Sequence, residues 1–315
     1  MVKRTDESIW VIKRKGILKM RLGFIGFGEA AFELAFGLKE EGLEIIFAHD
    51  VMIDHPTFGP QIKERAAQAQ VEILSTPEEV LSQVDVVIVA VPADKALEVS
   101  EMLKPFIKED CIYVDVSAST PVVKQKINTH IKEKNAFFVD VAMLGPLPVY
   151  KHKVPISASG NGADLLISLM TPYSMNITKV SEKPGDASAV KLIRSIYMKG
   201  VVALYLELLE ASYEFNVEQL VLDSISETLD SKSFRETMNR LVTGTSIHAL
   251  RRSIELDGSI QMLEASNLNS VMSKAAKSKL ETLASYNLKE KFKGQKPDHW
   301  LDVIKACKED ATVNN

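Results

Sequence analysis

Residues 21–50 read RLGFIGFGEAAFELAFGLKEEGLEIIFAHD, and few folds accept that order of residue types. An apolar run, Leu22 to Ile25, leads into Gly26-Phe27-Gly28-Glu29-Ala30-Ala31. A segment of helical period follows as far as Gly42, and a second apolar run ends at His49-Asp50. The pattern predicts strand, glycine turn, helix and strand, the unit that holds a dinucleotide's pyrophosphate on a helix N-terminus. Gly26 permits a tight exit from the strand, Gly28 permits close approach of a diphosphate, and Ala31 is small enough for helix and strand to pack. Asp50 ends the second strand at about the ~20-residue distance where a carboxylate reaches the adenosine ribose hydroxyls. Glu29 is out of character there, because its charge repels phosphate unless it points away. The candidate cofactor-binding residues are Gly26, Phe27, Gly28, Glu29, Ala30 and Asp50, with Val91 and Pro92 at the end of a later strand.

Strands and helices continue to alternate beyond Asp50. Pro60 to Gln68 reads as a short helix and Val71 to Leu74 as a strand, while Thr76-Pro77-Glu78-Glu79 is a helix start with a capping threonine. Asp85 to Val91 reads as a strand, apolar from Val86 onward as befits one covered on both faces. Further strands are expected over Cys111 to Val116, Ala136 to Val141, Val154 to Ser159 and about Met175 to Val180, with a loop from Met143 to Lys153. This alternation predicts an α/β fold, a Rossmann-type doubly wound parallel sheet. From about residue 183 only helical patterns follow, with breaks expected at Asn216, Asp230, Gly244, Asp257-Gly258 and Gly294. The expected organisation is an extension over 1–20, a dinucleotide-binding domain over 21–183 and an all-α C-terminal domain over 184–315. That second domain is expected to form the substrate cleft and a dimer interface.

The formal net charge of −4 and the absence of any basic tail argue against a nucleic-acid partner. Apolar runs such as Val86 to Val91 are far shorter than the ~20 residues of a membrane span. Cys111 and Cys307 lie far apart, which suggests neither a disulfide framework nor a zinc site and fits a reducing cytoplasm. The scattered histidines give no metal-binding pattern. The first twenty residues have mixed charge and lack the features of a secretory signal. They are expected to be a disordered extension, an artefact of start-site choice, or a short edge helix.

Asp186 to about Phe215 is apolar almost all round, the pattern of a buried helix. Ser188, Lys191, Arg194, Ser195 and Lys199 fall on one stripe of it, at spacings of three and four. Three cations there predict a cleft that receives an anion such as a carboxylate. A solvated face, with lysine and arginine stems lying over apolar surface, is the plainer alternative.

Four motifs in order resemble the β-hydroxyacid dehydrogenase superfamily, which includes 6-phosphogluconate and 3-hydroxyisobutyrate dehydrogenases. They are Gly26-x-Gly28-x-x-Ala31, Asp115-Val-Ser117-Ala-Ser-Thr-Pro121, Asp140-Val-Ala-Met-Leu-Gly145-Pro146, and Gly185 six residues before Lys191. Beyond them, His248-Ala-Leu-Arg251-Arg252 resembles a subgroup with a short phosphogluconate-dehydrogenase-like C-terminal domain. The resemblance implies an NAD(P)-dependent dehydrogenase acting reversibly on the CH–OH group of a small anionic β-hydroxyacid-like metabolite, and a homodimer. It implies Lys191 and Ser117 as catalytic residues, and Arg194, Ser195, Gly145, His248 and Arg251 are the expected substrate-binding residues. Where the family has asparagine this chain has Arg194, and in the substrate loop Leu144 and Pro146 replace serine and glycine. Those departures argue against 6-phosphogluconate itself. Asp50, with no arginine in Val51 to Asp54, leans the cofactor toward NAD over NADP. An imine or carbonyl reductase of the same fold, a non-catalytic NAD-binding sensor or scaffold, and an apolar-pocket binding protein are the alternatives.

Overall fold

The computed structural model describes residues 20–313. The expectations for the leader lie outside them. Eight strands, β1 (Arg21–Ile25), β2 (Ile45–His49), β3 (Glu72–Ile73), β4 (Val86–Val89), β5 (Ile112–Asp115), β6 (Phe137–Met143), β7 (Ile156–Ser159) and β8 (Ile177–Ser181), form one sheet in the order β3-β2-β1-β4-β5-β6-β7-β8. Between them lie α1 (Glu29–Glu40), α2 (Gly59–Gln68), α3 (Pro77–Gln83), α4 (Ala96–Leu103), α5 (Pro121–Lys132), α6 (Leu147–Tyr150) and α7 (Ala163–Met170).

Side chains alternate between the two faces of this sheet, and each face carries its own core. Leu22, Phe24, Val86, Ile88, Ile112 and Val114 pack on one side, with Leu34 and Leu38 of α1. Ile25, Val87, Val89 and Tyr113 pack on the other, with Val80 of α3 and Ile127 and Ile131 of α5. Strands covered on both faces are continuously apolar for this reason. Thr76 caps α3, and Glu79 completes a capping box by returning a bond to the backbone of Thr76.

One pairing departs from the expected parallel sheet, since β6 and β7 run antiparallel. The segment joining them is the predicted loop, which holds only the single turn α6 and a short 3₁₀ turn over Lys151–Lys153. A parallel return needs a long crossover to regain the other end of the sheet, so the chain pairs back on itself.

From Asp186 the chain is helical: α8 (Asp186–Glu214), α9 (Glu218–Asp230), α10 (Phe234–Ser246), α11 (Ala249–Ala265), α12 (Val271–Ser285), α13 (Leu288–Lys291) and α14 (Trp300–Val313). Two compact units divide between Ile196 and Tyr197, inside α8, while the change of pattern near residue 183 marks the end of the sheet. Gly244 and Asp257-Gly258 do not break helices as expected, for they lie inside α10 and α11. An interior glycine costs a helix only about 1 kcal/mol, which flanking turns offset. The breaks come instead at Ile247-His248 and at 266–270, where Asn267 takes a left-handed backbone. Within the second unit Glu207 accepts the N–H groups of Met272 and Ser273, both at 2.8 Å, and so caps α12.

The expected burial of α8 is corrected. Ile193 is 66% exposed, Ile196 75% and Tyr213 74%, so much of its apolar surface is uncovered in a single chain. The reading of an all-round apolar helix as buried assumed that one chain supplies every neighbour. No helix among the described residues is long and apolar enough to cross a membrane.

Candidate functional site

Register sets the site. Ile25 pairs with His49 and with Val89, Val89 with Asp115, and Asp115 with Asp140, forming one row across the C-terminal ends of β2, β1, β4 and β5 and the middle of β6. Ligands of open α/β sheets bind outside such an edge.

At the β1 end, Gly26 has φ +84°, and a Cβ there would stand 2.5 Å from the Ala90 carbonyl oxygen, so the turn requires glycine. Gly28 differs. It occupies the N-cap of α1 with no side-chain cap, and an added Cβ would meet nothing within 4 Å. Protein packing does not demand glycine there, but a diphosphate lying on the uncapped N-terminus of α1 does. The residues therefore fit a dinucleotide. Asp50 binds the turn itself, as its Oδ2 accepts the Phe27 N–H at 2.6 Å and its Oδ1 the Met52 N–H at 2.8 Å. Phe27, one of the candidate cofactor residues, is engaged within the protein. Its side chain is fully buried, edge-on to Phe24, and its N–H is given to Asp50. Glu29 and Pro92 are exposed, and Ala30 and Val91 half-buried.

At the β5–β6 end the row closes on a buried polar cluster. Lys124, fully buried on α5, stands 3.2 Å from Asp115 Oδ1 and 3.4 Å from Asp140 Oδ1. Its Nζ also donates to the carbonyl oxygens of Asp115 at 3.0 Å and Ser117 at 2.9 Å, and to Ser117 Oγ at 3.3 Å. Ser117 Oγ lies 2.6 Å from Ser119 Oγ, which donates to the Ala93 carbonyl. Asp140 in turn holds the start of α8, accepting the Ser188 N–H at 2.9 Å and the Ser188 hydroxyl at 2.6 Å, while Ser159 Oγ receives the Ala187 N–H at 3.0 Å. A carboxylate at a helix N-terminus satisfies first-turn donors and opposes the dipole favourably. Gly185, at φ +99°, lets α8 begin directly against Pro121, whose carbonyl oxygen a Cβ would approach to 2.8 Å.

Beside this cluster lies a pocket of about 530 Å³ that brings Lys191, Arg194, Ser195 and Gly145 together, walled by Met143, Leu144, Pro146, Pro155 and Tyr150. Burial first, and then the charge of Lys124, hold the Lys191 pKa below the ordinary 10.5, while Asp140 opposes them. Sequence spacing points to burial and to the neighbouring Arg194 and Lys199 as the causes; burial is the first of them, but Lys124 takes the place of the two stripe cations. Arg194 is exposed, and Lys199 is exposed in the second unit and does not line the pocket. Ser117 lies in the buried cluster and is not a wall of the pocket. His248 and Arg251 line a pocket of about 400 Å³ within the second unit, with Asn287 and Lys289, and neither lines that of Lys191. Among the described residues no group of three or more His, Cys, Asp or Glu is placed to hold a metal ion.

Lys124 is the residue that sequence reasoning missed. A signal was present, because Lys124, Ile127, Asn128 and Ile131 recur at helical spacing and all are buried. A lysine on the apolar stripe of a core helix needs an acidic partner.

Residues 21–161 match the family described as the NAD binding domain of 6-phosphogluconate dehydrogenase, and residues 213–283 match a domain of unknown function, DUF1932. An uncharacterized 28.5 kDa protein in the 7S RNA 5′ region of Methanothermus fervidus is 30% identical over 258 residues, which cover 82% of this chain and 96% of that protein. The solved structure of a conserved protein of unknown function, described as similar to 3-hydroxyacid dehydrogenases, has 32% identity and a TM-score of 0.58, over 84% of this chain and 97% of that one. An imine reductase variant from Myxococcus stipitatus in complex with NAD+ has a TM-score of 0.71 over 92% and 99% of the two chains, and at 14% identity the likeness is of fold alone.

Proposed function

Because the chain belongs to the β-hydroxyacid dehydrogenase superfamily and carries its NAD(P)-binding domain, we propose that it is a dehydrogenase of a small hydroxy acid with Lys191 as general acid/base. The observation that carries this reading is Lys191 in the pocket wall beside Arg194, with its proton affinity lowered. Gly26, Gly28 and the N-terminus of α1 would hold the cofactor, which supplies the hydride chemistry. The chain's own share is the proton. In oxidation the neutral Lys191 amine takes it from the substrate hydroxyl, and in reduction the ammonium returns it. Arg194 offers a substrate carboxylate two parallel hydrogen bonds, and Ser195 and the Gly145 backbone complete that end. Ser117, held by Ser119 and Lys124, orients groups beneath.

NAD is the proposed cofactor. Each Asp50 oxygen keeps a second lone pair for a ribose hydroxyl, and its charge repels a 2′-phosphate. The uncovered apolar side of α8 supports a homodimer. The imine-reductase-like fold supports a second reading, reduction of a C=N bond with Lys191 as proton donor. Arg194 and Lys191 weigh against it by repelling a cationic iminium. Turnover of a panel of 2- and 3-hydroxy acids with NAD, followed by nicotinamide absorbance, tests the proposal. Activity on one of them that Lys191→Ala abolishes supports it. Full turnover by Lys191→Ala overturns the role of Lys191, and NAD binding without turnover of any hydroxy acid or imine points to a sensor.

A further inference from the structure

Asp115 and Asp140 are directly paired neighbours on β5 and β6, and both are fully buried. Adjacent carboxylates repel, and in apolar surroundings the repulsion is strong. Lys124 lies against both, with its remaining donors spent on the Asp115 carbonyl and on Ser117. A buried ion cluster of this kind is weak evidence of stabilisation, since apolar residues of the same volume often serve as well. Its position is more informative. Asp140 accepts both the N–H and the hydroxyl of Ser188, one turn before Lys191, and the Gly185–Pro121 approach fixes the start of α8 against the start of α5. A continuous chain of contacts thus runs from Lys124 through Asp140 to the turn that presents Lys191.

We propose that Lys124 is a positioning residue for Lys191: it holds Asp140 in place under α8 and sets how much of that carboxylate's negative charge Lys191 experiences. The inference rests on the reading of Lys191 as the acid/base. The charged and titratable groups around Lys191 are Lys124 on α5, Asp140 on β6, Asp115 of β5 behind Lys124, Arg194 on its own helix and Tyr150 of α6 in the same pocket. Of these, Lys124 lowers and Asp140 raises the proton affinity of Lys191, after the larger effect of burial. Removing Lys124 takes away a repelling charge and leaves Asp140 uncompensated, and both changes favour the ammonium.

The test reads Lys191 directly. The full-length protein is labelled with trace acetic anhydride across a pH series, and the acetylation rate of the Lys191 peptide is followed by mass spectrometry. Lys124→Met combined with Asp115→Asn leaves the net buried charge unchanged, and Lys124→Gln with Asp115→Asn is the second variant. In either, the Lys191 midpoint moves to higher pH, whereas Asp140→Asn moves it to lower pH. An unmoved midpoint in a folded Lys124 variant, or a shift in the same direction as Asp140→Asn, overturns the proposal. So does failure of both Lys124 variants to fold, which would make the residue a structural staple. No turnover is read here, so a catalytically dispensable Lys191 and an inert Lys124 give different results. The first retains activity in Lys191→Ala, and the second leaves the labelling midpoint where it was.

Discussion

Two glycines with opposite surroundings separate the scaffold from the cofactor site. Gly185 has φ +99°, and its missing Cβ would stand 2.8 Å from the Pro121 carbonyl oxygen and 2.9 Å from its Cα and Cβ. Alanine there meets a left-handed backbone, at roughly 1–2 kcal/mol, and rigid backbone atoms, at roughly 1–3 kcal/mol of overpacking. The sum, about 2–5 kcal/mol, is a large part of the ~5–15 kcal/mol that holds a typical protein folded. Gly185→Ala should therefore lower the urea midpoint followed by circular dichroism, with the slope unchanged, while calorimetry finds the NAD affinity of the folded protein intact. Gly28→Ala should behave in the opposite way. Its backbone, at φ −76° and ψ −163°, suits any residue, and the new methyl meets no protein atom within 4 Å. Losing glycine at an N-cap costs about 1 kcal/mol or less, but the methyl enters the space assigned to the diphosphate. NAD affinity should fall by about tenfold or more, or ~1.4 kcal/mol and upward. A Gly28→Ala protein that binds NAD as tightly as the parent would refute the cofactor placement, and a Gly185→Ala protein of unchanged stability would refute the close packing of α8 on α5.

For oxidation, kcat/KM should rise with pH and level off above the lowered pKa of Lys191, at a pH below the 10.5 of an ordinary lysine, and a pH profile on a confirmed substrate checks this. Because the Lys191 pKa is lower folded than unfolded, the unfolded chain binds this proton more tightly between the two values, and stability rises with pH across that window. Lys191→Met should accordingly raise the urea midpoint at neutral pH, and its advantage should shrink as pH climbs toward 10.5. Asp50→Ala removes the acceptor of Phe27 and Met52 together with a charge that repels a 2′-phosphate, so NAD binds less tightly while the NADP-to-NAD affinity ratio rises in titration calorimetry. On the proposed homodimer, Ile196→Glu, on the uncovered apolar side of α8, should give a monomer in light scattering where the parent gives a dimer.

The fold was legible because its signals are local. Strands buried on both faces declare themselves as unbroken apolar runs, and Thr76 with Glu79 marks a helix start within four residues. Gly26 was legible for the same reason, since a turn out of β1 needs positive φ wherever the rest of the chain goes. Gly244 and Gly258 misled because glycine is a weak breaker, overruled by packing on either side. The antiparallel β7 was hidden in the length of a connection that sequence reading treated as an ordinary loop.

The site was legible as far as its motifs reach and no further. Lys191 and Arg194 lie three residues apart on one helix, so helical spacing alone puts them in one wall. What surrounds Lys191 comes from elsewhere in the chain. Lys124 is 67 positions away, and only two folding decisions bring its charge to bear. The first is the register that pairs Asp115 with Asp140, and the second is the glycine that lets α8 start on Pro121. Neighbours on the stripe, Arg194 and Lys199, were the natural candidates for tuning the lysine, but exposed charges are screened by water and act weakly. A fully buried ammonium keeps most of its field, so Lys124 on another element outweighs Arg194 one turn away. Spacing along a chain finds which groups face a pocket, whereas the pKa of the group that reacts depends on which charges have been removed from water beneath it.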